Sequence, residues 1–286
     1  MAKQNLKNIH LKVKDYSVSG EEFELIQNLE YGFLETIPQP SSDKLSYYYK
    51  SEDYISHTDS QRNLFEKIYH LVRKISLKKK LNLINSLSKE SKKLLDVGCG
   101  TGDFLQTIQF NKWNVSGIEP NEHARKIANQ KTGNSVFGIE QLLSFDENNF
   151  DVITLWHVLE HLPNLENQIS IFKKLLKPNG TLIIAVPNYK SYDATYYKEF
   201  WAAYDVPRHL WHFNKTSISK LVSKNLMKVI KVKPMLFDAF YVSLLSEKYK
   251  TGKMNPVKGF CIGLLSNLKS IETKEASSLI YIIKNE

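Results

Sequence analysis

Short apolar runs alternate with turns and amphipathic stretches along this chain. The run LLDV at residues 94–97 enters a turn with three glycines, and the residues from Asp103 onward have the spacing of an amphipathic helix. Further apolar runs predict strands later in the chain, namely WNVSGI, VITLW, TLIIAVP, MKVIKVKPM and SLIYIIKN. Strands that alternate with helical segments are typical of an α/β fold.

The three-glycine turn has the chemistry of a ligand-binding loop. Gly98, Gly100 and Gly102 allow backbone conformations and close approaches that a Cβ atom would block, so a ligand can contact bare main chain. A helix that starts near Asp103 would direct its first N–H groups at an anionic or carboxylate-bearing ligand. A dinucleotide fingerprint has its third glycine where this chain has Asp103, so the pattern disfavours NAD.

The segment WNVSGIEPN predicts a second short strand that ends at Glu119, seventeen residues after Gly102. In α/β folds of this kind, an acid at this place binds ribose hydroxyls. With these residues the chain resembles the class I S-adenosylmethionine (SAM) dependent methyltransferases, whose glycine-rich first motif and ribose-binding acid are similar to Asp96–Gly102 and Glu119. The segments FDVITLWHVLEHLPN (150–164) and LLKPNGTLIIAVPN (175–188) resemble the family's fourth strand with its following helix and the turn into its fifth strand.

This resemblance is closest over residues 92–188, and it implies a fold and a cofactor site. The implied fold is a Rossmann-like α/β fold with a seven-stranded, mainly parallel sheet, helices on both faces and an antiparallel last strand. SAM would lie at the carboxyl edge of the first two strands, with Ile139 and Glu140 beside the adenine. The residues implied around SAM are Asp96, Gly98, Gly100, Gly102, Glu119, Ile139, Glu140 and Trp156. Two alternatives stay open: a Rossmann-like domain that binds no SAM, and a SAM binder without catalysis.

The resemblance also predicts how the chain is divided. Residues 1–60 form an N-terminal segment, interpreted as the zinc-free remnant of a small lobe because IQNLEYG stands where related proteins carry zinc-binding cysteines. Residues 61–286 form the methyltransferase domain. Insertions at about 189–217 and 236–275 are not required by the fold and are free to build an acceptor pocket.

The segment before the glycine turn is interpreted as two helices between about Gln61 and Leu87 that cover the SAM pocket. Tyr54 and His57 precede them. These two residues either face the ligand or lie in a surface loop, and the sequence favours neither alternative.

The positive charge of the chain makes nucleic acid a candidate partner, but it does not decide between this partner and a small anionic substrate. The 286-residue chain has a formal net charge of +9, and nine Lys or Arg lie between Lys67 and Lys93 with Glu90 as the only acid. Apolar residues recur there at helical spacing, at Leu64, Ile68, Leu71, Val72 and Ile75. We therefore prefer a solvated helix face, or a site for an anionic small substrate, to a nucleic-acid surface, which is not excluded.

Composition gives expectations about location. No apolar run approaches the ~20 residues that a membrane span needs, and the start of the chain lacks the apolar core of a signal peptide, so we expect a cytoplasmic protein without a span. Cys99 and Cys261 are far apart in sequence, which argues against a disulfide framework. The apolar GFCIGLL (259–265) is interpreted as a buried helix turn or a partner-facing patch.

The segment HVLEH, at residues 157–161, matches an H-x-x-E-H zinc pattern. On a helix, His157 and His161 would share a face, as metal binding requires. The segment follows an apolar strand where the family has a substrate-facing turn, so we expect no metal. We predict instead that His157 lies at the carboxyl end of the fourth strand, above the transferred methyl group.

A second candidate constellation is DVPRHLWHF, at residues 205–213. In the resembling family a D-x-P-x-H motif contributes to the acceptor side of the site, which implies catalytic roles for Asp205 and His209, with Pro207 between them. A histidine there can take a proton from the acceptor while the aspartate fixes its tautomer. Further candidates are Arg208 and His212. The alternative is a structural turn, with Trp201, Trp211 and Phe213 as core.

The predicted function is SAM-dependent transfer of a methyl group to an O, N or C atom of a small-molecule or lipid-like acceptor. His157, Asp205 and His209 are the predicted catalytic residues, and Trp156, Tyr54 or Trp201 would face the cationic sulfonium. The alternatives are a methyltransferase that acts on RNA or protein and a non-catalytic SAM-binding module. Neither the acceptor nor the oligomeric state follows from the sequence.

Overall fold

The computed structural model describes residues 9–49, 64–87 and 92–286, which form two sheets with surrounding helices. The strands are β1 (Ile9–Lys14), β2 (Glu22–Gln27), β3 (Leu34–Ile37), β4 (Lys93–Val97), β5 (Asn114–Ile118), β6 (Val136–Phe137), β7 (Phe150–Trp156), β8 (Leu176–Pro187), β9 (Trp211–His212), β10 (Met227–Pro234) and β11 (Ser278–Asn285). The helices are α1 (Ser42–Tyr48), α2 (Leu64–Asn85), α3 (Asp103–Gln109), α4 (Glu122–Thr132), α5 (Leu165–Leu175), α6 (Tyr192–Tyr197), α7 (Lys215–Ser223), α8 (Asp238–Thr251) and α9 (Pro256–Thr273).

The larger sheet has the strand order β10-β11-β8-β7-β4-β5-β6. Strands β4 to β8 pair in parallel, while β11 runs antiparallel to both of its neighbours. The prediction of a seven-stranded, mainly parallel sheet with an antiparallel last strand is confirmed. Because β4 and β7 are neighbours with their carboxyl ends at the same edge, the glycine turn after β4 and the histidine segment after β7 lie side by side.

Helices cover both faces of this sheet, which explains why its central strands are buried on both faces and mostly apolar rather than alternating. One apolar cluster joins β4 and β8 to α2 and α3, through residues that include Ile84, Phe104 and Ile183. The other cluster lies on the opposite face, where α5 and α7 contribute Phe172 and Leu221.

The smaller sheet combines the N-terminal segment with the first predicted insertion. Its order is β1-β2-β3-β9, and β9 pairs with β3 through Leu34 and His212. The backbone N–H of Thr36 also donates to the carbonyl of Leu210 at 3.0 Å. The sequence between residues 189 and 217 therefore supplies part of the fold of the N-terminal segment, while the proposed domain boundary at residue 60 stays a prediction.

The prediction of two helices before β4 is wrong for the part that the structure describes. A single 22-residue helix, α2, runs without interruption, and it contains no glycine or proline that would end it. Its apolar face also differs from the one predicted, because Leu71 and Ile75 are exposed whereas Leu83 and Ile84 are buried.

In chain order, α8 and α9 follow β10 and precede β11, within the second predicted insertion, and they pack antiparallel against each other. They pack so closely that a Cβ atom on Gly259 would lie 2.8 Å from Cα of Leu244. Within the described ranges, no helix is both long and apolar enough to cross a membrane.

Candidate active site

The three glycines of the turn after β4 serve two different purposes. All have positive φ, but a Cβ on Gly98 would collide with Val158, and a Cβ on Gly102 would lie 2.9 Å from Ala128 of α4. These two glycines permit close packing of protein against protein. Gly100, with φ +56°, has no atom within 4 Å of the place a Cβ would take. The open side of the turn is therefore at Gly100.

Glu119 holds this turn from the end of β5. One of its carboxylate oxygens accepts a hydrogen bond from the backbone N–H of Gly100, and the other accepts from that of Asn121, both at 2.8 Å. The residue is only 7% exposed, and its two oxygens have further lone pairs for hydroxyl donors. Glu119 thus shapes the turn, and its predicted contact with a ribose stays a prediction.

Asp96 lies beneath the turn and is almost fully buried. The hydroxyl of Thr154 on β7 donates to its carboxylate at 2.6 Å. Burial raises the pKa of Asp96 to about 7, although the bond from Thr154 and the charge of Lys80 act in the opposite direction. Its position indicates that Asp96 supports the turn from below; a direct contact with SAM stays a prediction.

Lys80 of α2 is a site residue that the sequence did not reveal. Its ammonium lies 4.1 Å from the centroid of the Trp156 ring and 5.7 Å from that of Phe104. Burial lowers the pKa of Lys80 to about 8, although Asp96 and Asp238 favour its charged form. In the sequence Lys80 is one of nine neighbouring cations, so only the packing of α2 distinguishes it.

Three of the predicted cofactor contacts, Ile139, Glu140 and Trp156, differ in their exposure and in their position relative to the glycine turn. Ile139 and Glu140 are exposed in a short 3-10 turn after β6, at the edge of the sheet next to the glycine turn. The indole N–H of Trp156 is buried and has no hydrogen-bond partner among the described residues. This N–H and the open side of Gly100 fit a bound cofactor at the carboxyl edge of β4 and β5.

Two predicted sulfonium contacts lack support. Trp201 is 1% exposed, its indole N–H donates to Asp193 at 2.7 Å, and its ring packs in the core of the smaller sheet. It cannot present its face to a ligand, so this prediction is wrong. Tyr54 and His57 lie outside the described residues.

His157 directly follows β7, as predicted, but it does not belong to a helix. Its φ is +58°, a short 3-10 helix follows at Leu159–His161 and α5 begins only at Leu165, so His157 and His161 do not lie together on one α-helix. Nε2 of His157 lies 3.0 Å from a carboxylate oxygen of Asp238, and Nδ1 lies 3.4 Å from one of Glu160.

Two carboxylates on one imidazole decide its charge. Burial alone would lower the pKa of His157, but the hydrogen bond with Asp238 and the nearby carboxylates of Asp238 and Glu160 raise it to about 10. His157 is therefore an imidazolium at neutral pH, with both ring nitrogens engaged. This geometry favours a positioning role over that of a base.

Glu160, His161 and His209 form a second group next to His157. One potential metal ligand atom from each lies within 4.8 Å of the other two, so this group can hold a metal ion on distance alone. The rings of the two histidines are 4.6 Å apart, and Nδ1 of His161 lies 3.0 Å from the carbonyl oxygen of Arg208. The neighbouring His157, with Nδ1 3.4 Å from Glu160, helps to lower the pKa of this buried carboxyl against the effect of burial. The structure thus gives Glu160 a cationic neighbour without a metal.

His209 is buried, and Nδ1 donates to the carbonyl of Ala203 at 2.9 Å. Nε2 therefore carries the lone pair and lies 3.7 Å from a carboxylate oxygen of Asp205. Burial, followed by the charge of His161, lowers the pKa of His209 well below its usual value, so the ring is neutral at pH 7. The predicted tautomer control by Asp205 is wrong, because Ala203 fixes the tautomer and Asp205 pairs mainly with Arg208.

His212 belongs to β9 and has a structural position in the smaller sheet. The Thr36 hydroxyl donates to the carbonyl of His209 and lies 2.9 Å from Nε2 of His212, so it accepts from that nitrogen. Burial lowers the pKa of His212 to about 3. Among the other residues of this region, Phe213 and Trp201 are fully buried, as the structural alternative predicts for this segment.

Acid is expected to destabilise the protein through His212. Between its unfolded pKa of 6.5 and its folded pKa of about 3, the unfolded chain binds more protons, so stability falls as pH falls. We expect the free energy of unfolding in urea to drop by about 2 kcal/mol between pH 6.5 and about pH 4.5 from this group alone. His212→Gln keeps a donor toward Thr36 but does not titrate, so its pH dependence should be shallower than that of the exposed control His123→Gln. Equal slopes would refute the assignment.

Comparison with known proteins places the chain in a family. A family model described as a methyltransferase domain matches residues 57–231, which is more than half of the chain. A ubiquinone biosynthesis O-methyltransferase of Dechloromonas aromatica is 31% identical over 110 residues, which cover 36% of this chain and 47% of that protein. One of Coxiella burnetii is 28% identical over 131 residues, which cover 43% and 55%. The chain thus matches about half the length of these curated relatives.

Solved structures show the same fold at low sequence identity. A SAM-dependent methyltransferase from Archaeoglobus fulgidus matches with a TM-score of 0.52 and 18% identity, over 78% of this chain and all of the other. A possible histamine N-methyltransferase from Thermotoga maritima matches with a TM-score of 0.52 and 20% identity, over 77% and 95%. The family model over more than half of the chain confirms the predicted family, and the solved structures share its fold: the chain belongs to the class I SAM-dependent methyltransferases.

Proposed function

We propose that this protein transfers a methyl group from SAM to a small-molecule acceptor. The observation that carries the proposal is the open side of the glycine turn at Gly100, which Glu119 holds in place at the carboxyl edge of the parallel sheet. Open α/β sheets bind their ligands at this edge. SAM supplies a methyl group on a positively charged sulfur, which makes transfer to a nucleophile favourable.

The chain's own residues would bind, align and enclose the reactants. Gly100 and Glu119 would hold SAM, with Trp156 beside it. Alignment of an acceptor behind the methyl group supplies much of the rate in such displacements. His157, fixed between Asp238 and Glu160 at the end of β7, would position the acceptor side of the site.

A hydroxyl acceptor requires a base, and His209 is the best candidate. It is neutral, and its lone pair is on Nε2 because Nδ1 donates to Ala203. Asp205, 3.7 Å from Nε2, would stabilise the ring after it takes a proton. The curated relatives are named O-methyltransferases, which supports an oxygen acceptor on a small molecule.

Calorimetric titration with SAM, S-adenosylhomocysteine and NADH tests the proposal without knowledge of the acceptor. We expect binding of the first two at micromolar concentration, on the order of −8 kcal/mol, and none of NADH. Saturation of the site would then justify a screen of hydroxylated small molecules for methyl transfer. Absence of SAM binding in the folded protein would overturn the proposal.

Glu119→Ala is expected to weaken SAM binding by about tenfold to a hundredfold. It removes the acceptor for two backbone N–H groups that order the turn, and a bond to a charged group contributes about 1.5–3 kcal/mol. Glu119→Gln should lose less, because its amide oxygen still accepts. The control is Glu122→Ala, an exposed acid three residues later, with unchanged affinity expected. Equal affinity of the Glu119→Ala variant and the wild-type protein would contradict the role of Glu119.

A further inference from the structure

Helix α9 has its apolar side turned away from the protein. The residues that face the protein are small or polar, apart from Ile262: they are Gly259, Ile262, Gly263, Ser266 and Ser270. The opposite side carries large apolar residues that are between 41% and 75% exposed, namely Val257, Phe260, Leu264, Leu268 and Ile271. We call these five residues the outer face of α9. A surface helix of a globular protein normally has the reverse arrangement.

The packing of the inner side explains this orientation. Close contact with α8 needs the absence of side chains, since a Cβ on Gly263 would lie 2.9 Å from Cα of Phe240. Ser266 donates to the buried carboxylate of Asp193 at 2.6 Å. The inner side is therefore fixed by specific contacts, and no described residue shields the outer face from solvent.

The outer face is continuous along the helix and extends onto α8. Its residues recur every three or four positions through about four turns, which aligns them in one stripe. Phe260 stacks on Phe240 of α8 with ring centroids 5.1 Å apart. Leu236, whose carbonyl accepts from Asn267 of α9 at 2.8 Å, and Tyr241 of α8 are also exposed. An apolar stripe of this length on a surface marks an interaction site.

Charge indicates the occupant. Residues 247–274 contain six lysines and only two acids, Glu247 and Glu272. Glu247 is buried and lies 3.3 Å from the ammonium of Lys258, so these two charges offset each other, which leaves five lysines and one exposed acid, Glu272. Pairing of two copies would bring two such cationic segments together, whereas an anionic surface attracts them.

We propose that α9 docks this protein on an anionic lipid bilayer, with the outer face in the headgroup region and the lysines toward the lipid phosphates. An apolar helix face bordered by lysines is the arrangement of helices that lie in the plane of a membrane. The adjacent helix α8 begins at Asp238, which is bonded to His157, so docking also brings the acceptor side of the site near the lipid surface. This last consequence rests on the proposed function; the docking itself does not.

The test is sedimentation of the full chain with phosphatidylcholine vesicles, with and without phosphatidylglycerol. We expect binding to the anionic vesicles that is about tenfold tighter than to neutral ones and that weakens with salt. The triple variant Phe260→Ser, Leu264→Ser and Leu268→Ser should lose at least about tenfold in vesicle affinity. Its matched control replaces three exposed apolar residues elsewhere: Leu29→Ser, Phe110→Ser and Leu226→Ser.

Two further measurements separate the outcomes. Titration with SAM, expected to be unchanged in both triple variants, shows that they are folded and keeps this test independent of methyl transfer. Sedimentation velocity of the free protein detects self-association. A dimer of the wild-type protein that the α9 variant dissociates would overturn the proposal in favour of a second copy. Absence of vesicle binding by the wild-type protein would also overturn it, and so would equal vesicle affinity of the two triple variants.

Discussion

Gly100→Val is expected to abolish SAM binding, with a loss of at least about a hundredfold in affinity, while the protein remains folded. The side chain would enter the open side of the turn, where no atom of the protein lies within 4 Å of the new Cβ. A cofactor that contacts bare main chain at this point would meet two methyl groups. Calorimetry with SAM measures the loss directly.

Gly100→Val also strains the backbone, and this loss of stability needs its own control. Its φ of +56° is unfavourable for a β-branched residue and costs on the order of 1–3 kcal/mol. Gly133 has a similar φ of +65° and equally empty surroundings, but it caps the far end of α4. Gly133→Val should therefore lose similar stability and keep its affinity for SAM.

The two variants together separate strain from occlusion. If both lose SAM binding to the same degree, backbone strain is responsible and the open side at Gly100 is not the cofactor cradle. Gly98 and Gly102 do not allow this distinction, because substitutions there would collide with Val158 and Ala128 before reaching any ligand.

The larger sheet was predictable from sequence because local pattern determines it. β10 and β11 coincide with the runs MKVIKVKPM and SLIYIIKN, and β4 and β5 lie where the glycine turn and Glu119 require them. The central strands are buried on both faces, so a continuous apolar run identifies them without knowledge of the partner strand.

Contacts that join distant segments could not be predicted in this way. Asp238 belongs to α8, 81 residues after His157, and no local signal marks it as the partner that fixes the charge of that histidine. Lys80 reaches the ring of Trp156 through the packing of α2, one continuous helix, against the larger sheet. The smaller sheet likewise needs β9 from the insertion. Periodicity describes the faces of one element, whereas these contacts depend on how elements pack.

The same limit applies to α9. Two interpretations fitted residues 259–265 at the level of sequence, a buried helix turn or a partner-facing patch. The structure buries the glycines and exposes Phe260, Leu264 and Leu265, because the closest helix–helix contact needs small residues. Hydrophobicity alone had no means of showing which side of this helix faces the protein.

His209→Asn is expected to reduce kcat by about a hundredfold or more once a hydroxyl acceptor is in hand, without a comparable change in SAM affinity. The new side-chain amide can donate to the carbonyl of Ala203 as Nδ1 of His209 does, so the local turn is retained. It has no counterpart to the lone pair on Nε2, which lies toward Asp205. The substitution thus removes the base and keeps the main structural contact.

The pH profile of the wild-type enzyme supplies a readout that a structural role would not affect. A base must be unprotonated to accept a proton, and the pKa of His209, the proposed base, is lowered well below its ordinary value by burial and by His161. The rate should therefore persist as pH falls through 6.5 and decline only at lower pH. His157, with a pKa of about 10, stays charged throughout this range and cannot cause the decline.

The effect of His209→Asn on kcat shows whether His209 acts in catalysis or only in the structure. If His209→Asn lowers kcat and its rate no longer declines at low pH, then His209 is the group that takes the proton from the acceptor. A His209→Asn variant that keeps its kcat would make the segment from Asp205 to Phe213 a structural turn, as its buried aromatic residues also permit. Methyl transfer would then rely on alignment alone, which suffices for acceptors that carry no proton to remove.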